Sequence, residues 1–120
     1  MPHSITVLVV EDEFLVRMNI VDQLVDLGFD VFEASNADDA IGVLADNEAV
    51  QVMFTDVDMP GSMDGLRLAA AVRDRWPPIK IIVTSGHRSV AKSKLPESSR
   101  FFEKPYDCVA VAKAMREMMA

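Results

Sequence analysis

Acidic side chains follow two of the apolar, β-branched runs of this chain, at the points where those runs end. The run "ITVLVV" is followed by Glu11, Asp12 and Glu13, and the run "VMFT" leads directly into Asp56 and Asp58. Carboxylates about 4 Å apart repel by roughly 4 kcal/mol at an effective dielectric of about 20, so such a cluster needs a neutralising cation. An all-oxygen ligand set without histidine favours Mg²⁺ or Mn²⁺ over zinc.

Two later runs end on residues that suit a phosphoryl group. The run "KIIVT" ends on Thr84 and continues into Ser85 and Gly86, and the run "RFFE" is followed by Lys104 and Pro105. A hydroxyl and an ammonium group supply the hydrogen bond and the positive charge that phosphoryl oxygens require. An aspartate beside them can act as a nucleophile and form an aspartyl phosphate. The residues therefore predict a phosphoryl-transfer site.

The elements that position these residues follow an α/β pattern. Short β-branched runs alternate with longer segments of helical period, which predicts the order βαβαβαβαβα and a five-stranded parallel sheet with helices on both faces. In a doubly wound sheet of this kind the carboxyl ends of all strands lie at one edge, where ligands bind. The predicted strands are 5 to 10, 30 to 34, 52 to 55, 80 to 84 and 100 to 103.

The helices are predicted from apolar periodicity. In the first, the recurring residues are Phe14, Met18, Val21 and Val25, and Gly28 ends the helix. Asn36 is the predicted cap of the second, whose face is Ala37, Ala40, Ile41 and Leu44. The third and the last present Ala69, Val72 and Trp76, and then Cys108, Ala112, Met115 and Met119. Between them, three serines and Pro96 leave room for only a short, marginal fourth helix around Ser89 to Lys94.

Composition narrows the function classes. The formal net charge is -7, with 19 acidic against 12 basic residues and no basic stripe, so direct nucleic-acid binding is not expected. The single cysteine, Cys108, excludes an internal disulfide and favours a reducing compartment. The first ten residues carry neither a signal-peptide pattern nor a membrane span. These features predict a cytoplasmic protein, and the length of 120 residues predicts one domain over residues 1 to 120.

Four motifs together resemble the response-regulator receiver domain of two-component signalling. They are "VLVVEDE", "VMFTDVDMPG" with "MDG" following, "VTSG" and "FFEKP", in the family's order and at about its spacing. The resemblance covers essentially the whole chain and implies the flavodoxin-like (βα)5 fold. It also implies a domain that accepts a phosphoryl group from a histidine kinase or a histidine phosphotransfer protein in a Mg²⁺-dependent reaction. No turnover of an external substrate is expected of such a domain.

The resemblance also implies a role for each matching residue of the acidic cluster. Asp56 resembles the phosphoacceptor, Asp12 the principal Mg²⁺ ligand and Glu11 the acid beside it, and the backbone carbonyl of Asp58 resembles a further metal ligand. Ser85 matches the switch hydroxyl. In the family the commoner residues are an Asp-Asp pair and a switch threonine, and "PGSMDG" here is one residue longer than the usual turn.

Further matches concern the response to phosphorylation. Lys104 resembles the lysine that pairs with the phosphate, its bond to Pro105 resembles the family's cis peptide, and Phe101 stands where an aromatic residue, more often tyrosine, changes rotamer. If the register is shifted by one, Thr84 takes the place of the switch hydroxyl, and Gly86 follows it in the same turn. The output face, made by the predicted short fourth helix, the fifth strand and the last helix, is expected to bind a partner or a second copy.

Two other classes share parts of the pattern. Asp56 and Asp58 after an apolar strand resemble the first motif of haloacid-dehalogenase-like phosphatases, although those enzymes need a later acidic pair that "VTSGHRS" does not offer. A toprim-type nucleic-acid site would need a basic surface. His87, two residues beyond Ser85, is either a surface histidine or a residue near an attacking water. The chain is expected to be a stand-alone receiver or part of a larger regulator or hybrid kinase, and its Met1 start favours a short protein.

Overall fold

The structure, a computed structural model, describes residues 4–61, 63–86, 95–96 and 98–120. Its elements, in chain order, are β1 Thr6–Val10, α1 Phe14–Asp26, β2 Asp30–Ala34, α2 Ala37–Asp46, β3 Val52–Asp56, α3 Gly65–Arg75, β4 Lys80–Ser85, β5 Arg100–Glu103 and α4 Cys108–Met119. Helix α4 is therefore the last helix of the chain. The predicted short helix around Ser89 to Lys94 lies outside the described residues, as does His87.

The five strands form one parallel sheet in the order β2-β1-β3-β4-β5, which confirms the predicted α/β class. Two strands run further than predicted. Strand β3 includes Asp56, which is paired in register with Thr84, and β4 includes Ser85. The backbone N–H of Val57 also donates to the carbonyl of Thr84 at 2.8 Å, so the end of β3 is tied to β4. The backbone of Asp56, which carries the carboxylate, therefore has a fixed position in the sheet.

Helices cover both faces of the sheet, as predicted. The side chains of β1 alternate between the two sides, with Val7 and Val9 in one buried cluster and Leu8 and Val10 in the other. The first of these clusters contains residues of α1 and α4, and the second contains residues of α2 and α3. All five residues of β1 and all five of β3 are buried. The two central strands therefore form the rigid middle of the domain.

The apolar period that predicts α1 is not carried by the residues that the helix buries, although the helix itself is confirmed. Ile20 and Leu24 are its buried residues, and Val21 packs at the margin of the same cluster. The exposed positions of the predicted face are Phe14, Met18 and Val25. The helix carries two apolar stripes, and periodicity does not tell which of them faces the sheet. Among the described residues, no helix is long and apolar enough to cross a membrane.

Two helix starts bring loops close to the edge of the sheet. The side chain of Asn36 accepts a hydrogen bond from the backbone N–H of Asp39 at 2.8 Å, which confirms the predicted cap of α2. The N–H of Gly65 donates to the carbonyl of Val57 at 2.9 Å at the start of α3. A Cβ at Gly65 would overlap the backbone oxygen of Asp56, so glycine is required for this close approach.

Candidate functional site

Lys104 connects residues from three strand ends at the carboxyl edge of the sheet. Its ammonium nitrogen lies 2.9 Å from Oδ2 of Asp56 and 3.4 Å from Oε1 of Glu11. Its backbone N–H donates to the carbonyl of Ser85 at 3.0 Å. These partners are far apart in sequence and belong to β1, β3 and β4. The predicted convergence of acids, hydroxyl and lysine at one edge is therefore present in the structure.

Glu11, Asp12 and Asp56 form a compact acidic cluster. Each contributes one carboxylate oxygen to a group whose members all lie within 4.8 Å of one another. The side chains of Glu11 and Asp56 are only 4% and 7% exposed. Buried carboxylates this close repel unless a cation compensates for them, and an oxygen-only set suits a hard divalent ion. The residues present thus fit the Mg²⁺ or Mn²⁺ that the sequence predicts at this edge.

The charged form of Glu11 is destabilised within the cluster, mainly by burial. Burial raises the pKa of Glu11 to about 7; the Glu13 N–H lowers it, Asp12 and Asp56 raise it, and Lys104 lowers it. Burial alone would lower the pKa of Lys104, but the hydrogen bond and charge of Asp56 leave it above the usual value. Lys104 therefore remains charged and acts as a counter-ion.

The loop after β3 places Asp58 between Asp56 and Ser85. The backbone N–H of Asp58 donates to Oδ1 of Asp56 at 3.3 Å. The hydroxyl of Ser85, a residue with 0% exposure, donates to Oδ2 of Asp58 at 3.2 Å. Ser85 therefore directs its hydroxyl towards the site, and Thr84 precedes it as the in-register partner of Asp56. The carboxylate of Asp58 therefore contacts the Ser85 hydroxyl.

Residues predicted for the switch lie beside this edge. Phe101 is half-buried and packs against the core cluster that α2 and α3 share. The peptide bond between Lys104 and Pro105 is cis, as the resemblance implied. Gly86 lies close to the Lys104 side chain, because a Cβ built on it would be 3.4 Å from Lys104 Cβ. These residues surround the lysine, while the output face lies partly outside the described residues.

Sequence reasoning missed the role of Arg17 in holding the acidic turn. Its Nη1 donates to the backbone carbonyl of Glu11 at 2.8 Å, and its Nε pairs with Oε1 of Glu33 at the same distance. The side chain is only 13% exposed although it is charged. The available signal was that Arg17 is the one basic residue of α1 and lies in its first turn. Arg17 ties α1 to the ends of β1 and β2 and so positions Glu11.

A family model described as "Response regulator receiver domain" matches residues 7–116. The chain belongs to this family. Among curated proteins, the receiver is similar to the sensor kinase CckA of Brucella abortus, with 36% identity over 97% of this chain and 13% of the relative. It is also similar to the response regulator protein FleR of Pseudomonas aeruginosa, with 29% identity over 95% of this chain and 24% of the relative.

Solved structures agree with this membership. The receiver matches the response regulator receiver protein from Sinorhizobium medicae with a TM-score of 0.88 and 25% identity, covering 98% of this chain and 95% of that one. It matches the receiver domain of the hybrid histidine kinase CckA with a TM-score of 0.79 and 26% identity, covering 96% and 99%. The fold prediction is thereby confirmed.

The family membership gives the general function. This receiver is a two-component phosphoacceptor domain, of a kind found alone or within larger regulators and hybrid kinases. The chain spans only 13% of the length of CckA and 24% of that of FleR. The phosphatase alternative needs an acidic pair at the end of the fourth strand, where the described residues are Thr84, Ser85 and Gly86. The site and the family both favour the receiver function.

Proposed function

We propose that Asp56 is the phosphoacceptor of one receiver domain that spans residues 1 to 120. A carboxylate oxygen of Asp56 would form a bond to phosphorus while the bond from phosphorus to the donor's imidazole nitrogen breaks. The observation that carries this proposal is the contact of Lys104 Nζ with Asp56 Oδ2 at 2.9 Å. A lysine held beside this carboxylate is ready to neutralise the phosphoryl oxygens that would arrive there.

Four groups would hold the metal: the carboxylates of Glu11, Asp12 and Asp56 and the backbone carbonyl of Asp58. When bound, Mg²⁺ or Mn²⁺ would screen the repulsion between the carboxylates and the incoming phosphoryl group. Lys104 and Ser85 would bind the remaining phosphoryl oxygens. The raised pKa of Glu11, about 7 and due mainly to burial, supports this proposal because a bound cation would stabilise the charged form of a buried carboxylate.

We propose a histidine kinase or a histidine phosphotransfer protein as the phosphoryl donor. Two relatives that are named as sensor kinases support this proposal. CckA is similar over nearly all of this chain, and RcsC over about three quarters of it. We further propose that the domain does not turn over external phosphate esters. A steady release of nitrophenol from p-nitrophenyl phosphate, abolished by Asp58→Asn, would favour the phosphatase alternative instead.

The switch we propose passes from Asp56 through Ser85 to Phe101. Phosphorylation adds nearly two negative charges at the end of β3 and provides a new acceptor for the Ser85 hydroxyl. Movement of Ser85 towards that acceptor would leave space that the half-buried ring of Phe101 can occupy. The output face would then repack and bind an output partner or a second copy of the chain.

Treatment with acetyl phosphate tests the proposed function. Intact mass spectrometry should detect one phosphate adduct on the wild type with Mg²⁺ and none when EDTA removes the metal. Asp56→Asn should abolish the adduct, and Asp58→Asn, a matched change two residues away, should retain it. Equal labelling of the Asp56→Asn protein would show that another residue accepts the phosphoryl group.

A further inference from the structure

The Ser85 hydroxyl already has an acceptor in the resting structure. It donates to Oδ2 of Asp58 at 3.2 Å, across 27 positions of sequence, and Ser85 is completely buried. A serine hydroxyl carries one proton and can make one such bond at a time. Any movement of Ser85 to another acceptor therefore requires that its bond to Asp58 be broken.

Asp58 contacts the reacting residue as well as the switch residue. Its backbone N–H donates to Oδ1 of Asp56 at 3.3 Å, and its side chain accepts from Ser85. The acidic oxygens that gather within 4.8 Å belong to Glu11, Asp12 and Asp56. The carboxylate of Asp58 is instead engaged by Ser85. The Asp58 side chain is therefore bound by Ser85, whereas the side chains of Glu11, Asp12 and Asp56 lie together in the acidic cluster.

We infer that the Asp58 carboxylate is a positioning residue that holds the Ser85 hydroxyl in its resting direction and thereby opposes the switch. The inference rests on the proposed function, in which Asp56 is phosphorylated and Ser85 responds. A phosphoryl group on Asp56 competes for the single Ser85 proton, and its negative charge repels the neighbouring carboxylate of Asp58. Both effects break the Ser85–Asp58 hydrogen bond, so the strength of that bond sets how readily the domain switches.

A cycle of four proteins separates this hydrogen bond from simple charge repulsion. The proteins are the wild type, Asp58→Ala, Ser85→Ala and the double variant, and the probe is beryllofluoride with Mg²⁺, followed by Trp76 fluorescence or NMR. Loss of Asp58 should tighten binding about tenfold when Ser85 is present, since no resting bond must then be broken. In the Ser85→Ala background only the relief of repulsion remains, and the gain should be less than about threefold. The same gain in both backgrounds would overturn the inference.

A second measurement needs neither metal nor phosphoryl mimic. In the resting Asp58→Ala protein, amide NMR shifts of Ser85, Phe101 and Phe102 should move part of the way towards those of beryllofluoride-bound wild type. Asp58→Asn is the matched control, because its amide oxygen still accepts the Ser85 hydroxyl without a full charge, and its shifts should remain near the resting values. Thermal melts of all variants check that each is folded. Unchanged shifts in a folded Asp58→Ala protein would contradict the inference.

The two measurements also separate this inference from the proposed function. If beryllofluoride bound wild type and Asp56→Asn equally, the assignment of Asp56 would fail, and with it the competition described above. If binding required Asp56 but the cycle showed no coupling between Asp58 and Ser85, the proposed function would stand and only the role of Asp58 would be wrong.

Discussion

The carboxyl edge of the sheet has two halves that are held in different ways. The acidic half, Glu11, Asp12 and Asp56, lies at the ends of β1 and β3, whose residues are all buried. In the hydroxyl and lysine half, Ser85 is the last residue of the buried strand β4, whereas Lys104 follows the four-residue edge strand β5, which has no buried residue. Its two side chains are held by hydrogen bonds to Asp58, Asp56 and Glu11. The core fixes the acids and the backbone of Ser85, whereas the Ser85 hydroxyl and the Lys104 ammonium depend on their polar partners.

This difference indicates how a single charge event can move one part of a rigid domain. Core packing resists small displacements, because close-packed interiors have few alternative arrangements. Hydrogen bonds between side chains can be exchanged when a stronger acceptor appears nearby. We therefore expect phosphorylation to leave the acidic half in place and to change the partners of Ser85 and Lys104. Each prediction below tests one side of this contrast.

The largest effect is expected in the acidic half. Asp12→Ala should weaken Mg²⁺ binding by roughly 100-fold, because it removes a charged ligand from a cluster with few alternatives. Glu13→Ala should change it by less than about twofold, since Glu13 is exposed and contacts Glu11 through its backbone N–H. A Mg²⁺ titration followed by Trp76 fluorescence or NMR measures both. The reverse order would show that the metal lies elsewhere on the acidic turn.

Removing Lys104 tests the other half next. Lys104→Met should lower beryllofluoride affinity by roughly 10- to 100-fold, because a charge-assisted hydrogen bond contributes about 1.5 to 3 kcal/mol. Lys113→Met is the control, since Lys113 is an exposed lysine of the last helix. Its variant should bind like the wild type at moderate salt. Equal losses in both variants would mean that Lys104 acts only through the net charge of the domain.

The free energy of unfolding should depend on pH because Glu11 is a buried acid. Burial raises its folded pKa to about 7, above the ordinary value of 4.5, so the folded state retains its proton over that interval while the unfolded state loses it. The free energy of unfolding of the metal-free domain should therefore fall between pH 5 and 8, by an amount on the order of 2 kcal/mol. Urea denaturation at several pH values measures this change.

Two variants isolate the contribution of Glu11 to that change. Glu11→Gln should flatten the pH dependence, because glutamine does not ionise. Glu48→Gln should keep it, since Glu48 is exposed and distant from the site. If the wild type and Glu11→Gln lost stability in parallel between pH 5 and 8, other groups would be responsible and the effect assigned to the burial of Glu11 would be wrong.

The smallest change in affinity is expected for Ser85→Ala. The hydrogen bond lost to the phosphoryl mimic is offset by the resting bond to Asp58 that no longer has to be broken, so affinity should change by less than about threefold. The NMR shift changes over residues 100 to 106 should nevertheless be largely lost, whereas Thr84→Ala should retain them. If Thr84→Ala lost these shift changes and Ser85→Ala retained them, the switch hydroxyl would belong to Thr84.

Much of this site could be predicted from the sequence because the ends of strands can be recognised locally and the topology of the sheet then brings them together. Apolar β-branched runs predict buried strands, and a parallel sheet brings their carboxyl ends to one edge. The convergence of Glu11, Asp56 and Lys104 follows from those two facts. Motif matches supplied the roles of the residues, which geometry alone leaves open between several chemistries.

The remaining features depend on tertiary placement. Helix α1 carries apolar residues on two stripes, so only packing decides that Leu24 is buried and Phe14 exposed. The short side chain of Asp58 can face either the acidic cluster or the Ser85 hydroxyl, depending on the path of the loop after β3. Arg17 makes its contacts with groups 6 and 16 positions away, and one such contact is to a backbone carbonyl. Sequence patterns carry no information about that pairing.

The most direct test of the account is to locate the phosphoryl group chemically. After treatment with acetyl phosphate and Mg²⁺, borohydride reduction converts a phosphorylated aspartate to homoserine, which tandem mass spectrometry of the peptides can assign to one position. We predict homoserine at Asp56 alone, and none when EDTA is present. Homoserine at Asp12 or Asp58, or a phosphate adduct that borohydride does not reduce, would contradict the assignment of Asp56 as the phosphoacceptor.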